Sequence, residues 1–123
     1  MIVVPSFLLK RLYVKGSLRN NDQGFQFELK NTLGSGYSTE LLPLTLDGNE
    51  LPRESSYFVI DAGEVSFSAV SKDRPFTLAR NKTSTILVKG ITLSEGPHKI
   101  GFSFVVQGLG KLGFDVADLV SVA

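Results

Sequence analysis

A period-two alternation of apolar and polar residues recurs in six segments, and it limits the possible folds more than any other feature of the chain. In GFQFELK the apolar residues are Phe25, Phe27 and Leu29, and in STILVKG they include Ile86 and Val88. Successive side chains of a β-strand point to opposite faces, so this pattern is typical of strands with one buried face. The other four segments are LLPLTLDG, GEVSFSAV, HKIGFSFVV and KLGFDV.

Short turn sequences separate the alternating segments. Asp47-Gly48 and Glu95-Gly96-Pro97 are strong turn signals, and NNDQG, LGSG and KDRP interrupt the chain in the same way. The segments FLLKRLYV and SYFVI add one or two strands, whereas DVADLVSVA fits either a strand or a short helix. About eight or nine strands with regular turns predict an all-β fold, a single antiparallel β-sandwich of immunoglobulin-like or jelly-roll type. We expect this one domain to cover residues 1–123.

The segment QGLGKLGFDV contains a glycine motif typical of nucleotide-binding loops. Gly108, Gly110 and Gly113 match the spacing G-x-G-x-x-G. A dinucleotide site also needs a helix directly after the glycines, because the helix N-terminus meets the phosphate. Here the residues after Gly113 alternate as in a strand. The sequence therefore predicts a glycine-rich hairpin between KIGFSFVVQ and KLGFDVADLV.

The composition leaves little reactive chemistry. The 13 basic and 12 acidic residues give a net charge of +1, which predicts no bulk attraction to nucleic acid or to anionic membranes. The chain has no cysteine and one histidine, so disulfides and thiolate metal sites are excluded and a zinc site is unexpected. No apolar stretch approaches the roughly 20 residues of a membrane helix, and no secretory signal is recognisable. We expect a cytoplasmic protein with no cofactor of its own.

Four residues are candidates for a binding site. The loop NTLGSGYSTE contributes Tyr37 and Ser38, and it either closes over a ligand or partner or forms a mobile hairpin tip. Tyr57 and His98 are the other two candidates. His98 is either a general base or, as we favour, a turn residue whose ring covers the sheet edge. No residue is predicted to be catalytic, and the basic residues of LLKRLYVKGSLR are expected on a solvated strand face.

Three segments between residues 17 and 106 occur in an order that points to a known family. These segments are SLRNNDQGFQFELKN, LTLDGNELPRESSYFVIDAGE and ITLSEGPHKIGFSFVV. Their order resembles the small β subunit of C-glycoside deglycosidases. The resemblance implies a β-sandwich that stabilises a TIM-barrel subunit similar to sugar isomerases, and that partner would carry the divalent metal and the catalytic histidine. The loop NTLGSG departs from the family pattern, which is aromatic and basic at this point.

The leading prediction of function is a non-catalytic β-sandwich subunit or interaction module. Its partner would be the barrel-type subunit or, failing that, a second copy of the chain. The segments SFSAV and GFSFVVQ carry few charges, so one of them is expected to pair as an edge strand with a partner or with another copy of the chain. One alternative is a stand-alone carbohydrate- or ligand-binding sandwich with a pocket lined by Tyr37 and Tyr57. The other is an enzyme that uses His98 together with a carboxylate.

Overall fold

A computed structural model describes residues 4–34 and 36–121. This part of the chain forms twelve strands, one short α-helix and three 3₁₀ turns, and every pairing between named strands is antiparallel. The elements in chain order are α1 (Ser6–Leu9), a 3₁₀ turn (Lys10–Leu12), β1 (Arg19–Asn20), β2 (Gly24–Lys30), β3 (Gly36–Ser38), β4 (Glu40–Leu41), β5 (Thr45–Leu46), β6 (Asn49–Glu50), a 3₁₀ turn (Arg53–Ser55), β7 (Ser56–Ile60), β8 (Gly63–Ser66), a 3₁₀ turn (Phe67–Ala69), β9 (Phe76–Leu78), β10 (Thr83–Lys89), β11 (Pro97–Val106) and β12 (Gly110–Leu119). The predicted all-β antiparallel sandwich is confirmed.

The strands form two larger sheets and one small one. The first sheet has the order β1-β2-β10-β7-β8, and the second has the order β12-β11-β5-β6, with β4 also paired to β11. Strands β3 and β9 form a separate two-stranded sheet. The strand number exceeds the expected eight or nine because several strands have only two residues, and LLPLTLDG is divided between β4 and β5.

The two larger sheets share one hydrophobic core. On β2, Phe25, Phe27 and Leu29 are fully buried, as their alternation predicts. The second sheet contributes Ile100 and Phe102 from β11 to the same cluster. Full burial of one such side chain contributes roughly 1.5–3 kcal/mol to the free energy of unfolding, so this core is the main source of stability.

The prediction of a strand over FLLKRLYV is wrong, because the segment forms α1 and the following 3₁₀ turn. The amides of Leu8 and Leu9 donate hydrogen bonds to the carbonyl of Pro5, which begins the helical turn. Leu9, Leu12 and Tyr13 are buried at the spacing i, i+3 and i+4, which places them on one helical face. Lys10 and Arg11 therefore lie in a helical turn and not on a strand, whereas Arg19 lies on β1 with its side chain exposed, as expected.

The glycine-rich hairpin is confirmed, whereas neither of the two candidate segments for edge pairing forms an edge strand over its whole length. Strands β11 and β12 pair along their whole length and turn between Val106 and Gly110. GFSFVVQ belongs to β11, a central strand with β12 on one side and β4 and β5 on the other. SFSAV leaves the edge strand β8 after Ser66, because the Ser66 hydroxyl accepts the Ser68 amide and begins a 3₁₀ turn.

Candidate functional site

A groove with a volume of about 300 Å³ runs into the core from the side of the two-stranded sheet. Its walls come from α1 and the following 3₁₀ turn, from the end of β2, from β3 and β9, and from the hairpin of β11 and β12. Most lining side chains are aliphatic or aromatic: Val4, Leu9, Leu12, Leu29, Leu33, Tyr37, Phe76, Leu78, Phe102, Phe104, Val106, Leu109 and Leu112. The groove therefore borders the sandwich interior.

Strand alternation determines which residues form the wall of the groove on the two-stranded sheet. Gly36 is opposite Leu78, and Ser38 is opposite Phe76, so these four positions share one face. Leu78 and Phe76 are buried, which identifies this face as the inner one. Tyr37 belongs to the opposite face by the same alternation, and its side chain is 52% exposed at the rim.

The two polar side chains in the groove are already hydrogen-bonded within the chain. The Asn31 amide nitrogen donates to the carbonyls of Leu78 and Gly34, while its oxygen accepts the amides of Leu33 and Gly34. The Ser38 hydroxyl lies 2.7 Å from the carbonyl oxygens of Glu40 and Val105. Asn31 and Ser38 thus shape the groove, and neither is free to orient a polar ligand.

The rim of the groove carries exposed apolar side chains. Leu33 is 42% exposed and Leu109 is 37% exposed, and both lie in turns beside the groove. Together with Tyr37 they form what we call the apolar rim, defined by Leu33, Tyr37 and Leu109. Large apolar side chains that are exposed next to one another mark surfaces for interaction more often than scattered ones do.

Tyr57 does not lie at the groove. It is on β7, where the ammonium nitrogen of Lys89 lies 4.4 Å from its ring centroid. The same nitrogen is 2.6 Å from a carboxylate oxygen of Glu64, and this hydrogen bond raises the pKa of Lys89. Tyr57 is part of a cation–π and ion-pair cluster on the first sheet and does not line the groove that Tyr37 borders, so the structure does not bring these two candidates together there.

His98 also lies away from the groove, at the start of β11. Its Nδ1 atom is 2.7 Å from Oδ2 of Asp47, and its Nε2 atom is 2.8 Å from the carbonyl oxygen of Ser94. Both partners accept hydrogen bonds, so the doubly protonated imidazolium satisfies both contacts. The bond to Asp47 is the largest of the effects that raise the pKa of His98. The pKa of Asp47 is lowered, mainly by the Lys99 amide and also by His98.

Two classes of site are not found in the residues that the structure describes. Within residues 4–34 and 36–121, no group of three or more His, Asp or Glu side chains is placed to hold a metal ion. Over the same part of the chain, no helix is long and apolar enough to cross a membrane.

A comparison with protein families matched residues 8–121 to the model described as "Hydroxymethylglutaryl-CoA reductase, N-terminal domain". The chain belongs to this family. A search of curated proteins found no match. The family match covers all the strands of the β-sandwich, and in this member of the hydroxymethylglutaryl-CoA reductase N-terminal domain family every lining residue of the groove except Val4 lies within the matched region.

The family match overturns the resemblance to the small β subunit of C-glycoside deglycosidases. The three segments behind that resemblance form strands and turns of the sandwich. Turn residues followed by alternating strands are needed in any antiparallel sheet, so their order was not specific to one family. The barrel-type partner and its divalent metal were implied by that resemblance alone and lose its support.

Sequence reasoning identified Tyr37 and Ser38 but missed most of the groove in this family member. The missed rim residues, Leu33 and Leu109, are leucines between glycine-rich turn residues in NTLGSG and QGLGK. An isolated leucine at such a position was a usable signal, because turns normally carry polar residues that solvent can reach. The walls of the groove come from distant parts of the chain and carried no local signal.

Proposed function

We propose that the chain is a non-catalytic interaction domain that contacts a partner protein through the apolar rim of the groove. The observation that carries this proposal is the gathering of Leu33, Tyr37 and Leu109 around one opening. Contact with a partner would remove this apolar surface from water. The favourable free energy of this burial is roughly 25 cal/mol per Å² of apolar area. The partner surface that fits is apolar and is not strongly charged.

The arrangement of the polar residues favours binding over catalysis. A general base needs a nitrogen lone pair directed at its substrate, whereas both ring nitrogens of His98 face acceptors within the chain. The family description refers to the N-terminal domain of a reductase, which agrees with a domain that works beside another protein or domain. We take only the type of domain from the family match, and we propose no reductase activity for the chain.

A ligand-binding sandwich is the second candidate, and the chemistry of the groove decides which ligand it would suit. Sugars require several unoccupied hydrogen-bonding groups, but Asn31 and Ser38 are engaged within the chain. Tyr37 and Tyr57 are on different sheets, so they do not form one stacking platform. The groove therefore favours an apolar ligand over a carbohydrate.

The experiment that tests the interaction proposal compares assembly of the wild type with that of two rim variants, Leu33→Asp and Leu109→Asp. Native mass spectrometry of the chain, purified under native conditions, is expected to show a complex with a partner or a homo-oligomer. Each aspartate places a charge in the contact, so we expect the complex to be lost while the chain stays folded.

The matched control is Ile60→Asp, which introduces the same charge at a 44% exposed apolar residue of β7 that does not line the groove. This variant is expected to assemble as the wild type does. A wild-type chain that is strictly monomeric and without a partner would contradict the proposal. Equal loss of assembly in all three variants would show that the rim has no special role.

A further inference from the structure

We propose that the groove binds a small, uncharged hydrophobic molecule, which enters between the two-stranded sheet and the β11–β12 hairpin. This inference does not depend on a protein partner, because the site is built entirely from the chain itself. A partner protein would cover the opening at the apolar rim, whereas the small molecule would fill the space beneath it.

The size of the groove suits a small molecule. Its volume of about 300 Å³ lies at the lower end of the range for ligand pockets. An apolar cavity of roughly 150 Å³ already accommodates benzene, so this groove has room for a ligand with two fused or linked rings. Its inner end lies against Leu29 and Phe102, which are fully buried core residues, so the inner part of a bound molecule would contact the hydrophobic core.

The lining determines the chemical class of the ligand. No Lys, Arg, Asp or Glu side chain lines the groove within the described residues. A charged ligand would lose its hydration there without gaining a counter-ion, which is strongly unfavourable. The polar side chains of Asn31 and Ser38 are already paired, so polar groups of a ligand would remain at the opening. These features together select an uncharged molecule with an apolar body.

Gly36 helps to keep the groove open. A Cβ atom at this position would meet no heavy atom within 4 Å, and its backbone is not in the left-handed region. The backbone conformation therefore does not require glycine here. Since Gly36 lies opposite Leu78 on the inner face, a large side chain would enter the groove. The missing side chain accounts for part of the open volume.

A pair of matched fluorescent probes tests the inference on the purified full chain. N-phenyl-1-naphthylamine is uncharged, and 8-anilinonaphthalene-1-sulfonate has the same ring system with a sulfonate added. We expect saturable one-to-one binding of the uncharged probe and affinity weaker by about tenfold or more for the sulfonate. Equal affinity for the two probes, or no saturable binding of the uncharged one, would overturn the inference.

Gly36→Phe locates the bound probe. The new ring fills the groove, so the affinity for N-phenyl-1-naphthylamine is expected to fall by about tenfold or more. The control is Thr77→Phe, which adds the same ring opposite Tyr37 on the outer face of the same sheet. This control is expected to bind as the wild type does. Unchanged binding by a folded Gly36→Phe chain would show that the probe binds elsewhere.

A measurement on the wild type alone covers the case in which Gly36→Phe does not fold. Methyl NMR signals of Leu78 and Leu112, which line the groove, should shift on addition of N-phenyl-1-naphthylamine, while that of Ile60 should not. Shifts confined to residues outside the groove would overturn the inference. If the chain assembles through the rim but binds no probe, only this inference is refuted. If the chain binds the probe in the groove but does not assemble through the rim, only the proposed function is refuted.

Discussion

The hydroxyl of Tyr13 donates a hydrogen bond of 2.7 Å to Oδ2 of Asp118, which lies 105 positions later in the chain. The same oxygen accepts the amide of Gly16 at 2.8 Å, and Oδ1 accepts the amide of Leu119. Burial, followed by the bond and the charge of Asp118, raises the pKa of Tyr13 well above its usual range. This carboxylate therefore fastens the N-terminal helical segment to the end of β12.

Tyr13→Phe should lower the free energy of unfolding by roughly 1–3 kcal/mol, because a buried carboxylate loses a hydrogen-bond donor. Urea denaturation followed by circular dichroism measures the change. Tyr37→Phe is the control, since it removes the same hydroxyl from a half-exposed ring. Similar losses in the two variants would show that the bond to Asp118 contributes nothing particular.

The contact between His98 and Asp47 predicts a pH-dependent stability. The folded-state pKa of His98 is raised, so its contribution is fully present below the unfolded value of about 6.5 and is lost as pH rises through the folded value. The folded-state pKa of Asp47 is lowered, so its contribution is present above about 3.9 and is lost as pH falls through the folded value. Both groups therefore contribute fully to the stability of the folded chain between about pH 3.9 and about pH 6.5, the two unfolded-state pKa values.

His98→Gln should therefore destabilise the chain more at pH 5.5 than at pH 8.5. The measurement is the difference in urea midpoint between wild type and variant at each pH, which cancels the titration of groups that the two chains share. Asp47→Asn should give the same trend, because it removes the other partner. A difference that is constant from pH 5.5 to pH 8.5 would mean that the imidazolium is not what the contact stabilises.

Substitution by alanine is expected to have different effects on stability at Gly24 and at Gly36. A Cβ atom on Gly24 would lie 2.0 Å from the carbonyl oxygen of Val88 in the neighbouring strand, so Gly24→Ala must push β2 and β10 apart. We expect a loss of about 1–3 kcal/mol, as for overpacking in a core. Gly36→Ala meets open space and restricts the unfolded chain, so it should be neutral or stabilise by about 0.4–1 kcal/mol. Thermal unfolding of the two variants compares these effects.

The sequence revealed the strands that carry the core but not the helical N-terminal segment. Phe25 and Phe27 alternate with polar residues, and both are fully buried in β2, because only the period of a strand places them on one face. In FLLKRLYV the helical spacing of Leu9, Leu12 and Tyr13 was present but covered barely one turn of helix. So short a pattern does not distinguish a helix from a strand without the hydrogen bonds to Pro5.

The candidate site was only partly predictable for a different reason. Tyr37 and Ser38 were found because their loop is unusual in composition, and both lie at the groove. Leu29 and Phe102 form its deep wall although 73 positions separate them, and they meet only after the sheets pack. Local sequence shows which side chains are apolar, but the space left between them depends on how distant strands come together.

The Asn31 side chain is expected to hold the loop at the groove opening in its observed conformation. Its side chain is buried, and it donates to the carbonyls of Leu78 and Gly34 while accepting two amides of its own loop. Asn31→Asp keeps the acceptors but turns a carboxylate oxygen toward the two carbonyls. We expect a loss of about 1–3 kcal/mol, because a buried donor is removed and two acceptors are left unpaired.

Hydrogen exchange of the amides of Leu33 and Gly34 should become faster in Asn31→Asp, since the loop loses its side-chain hydrogen bond to β9. The matched control is Asn21→Asp, where the side-chain oxygen accepts the amides of Gln23 and Gly24 in the same way. There the side-chain nitrogen lies 3.1 Å from the side-chain amide of Gln26, which can rotate, so Asn21→Asp should cost less and leave the exchange of the groove loop unchanged. Equal destabilisation without faster exchange near the groove would show that Asn31 does not hold this loop in place.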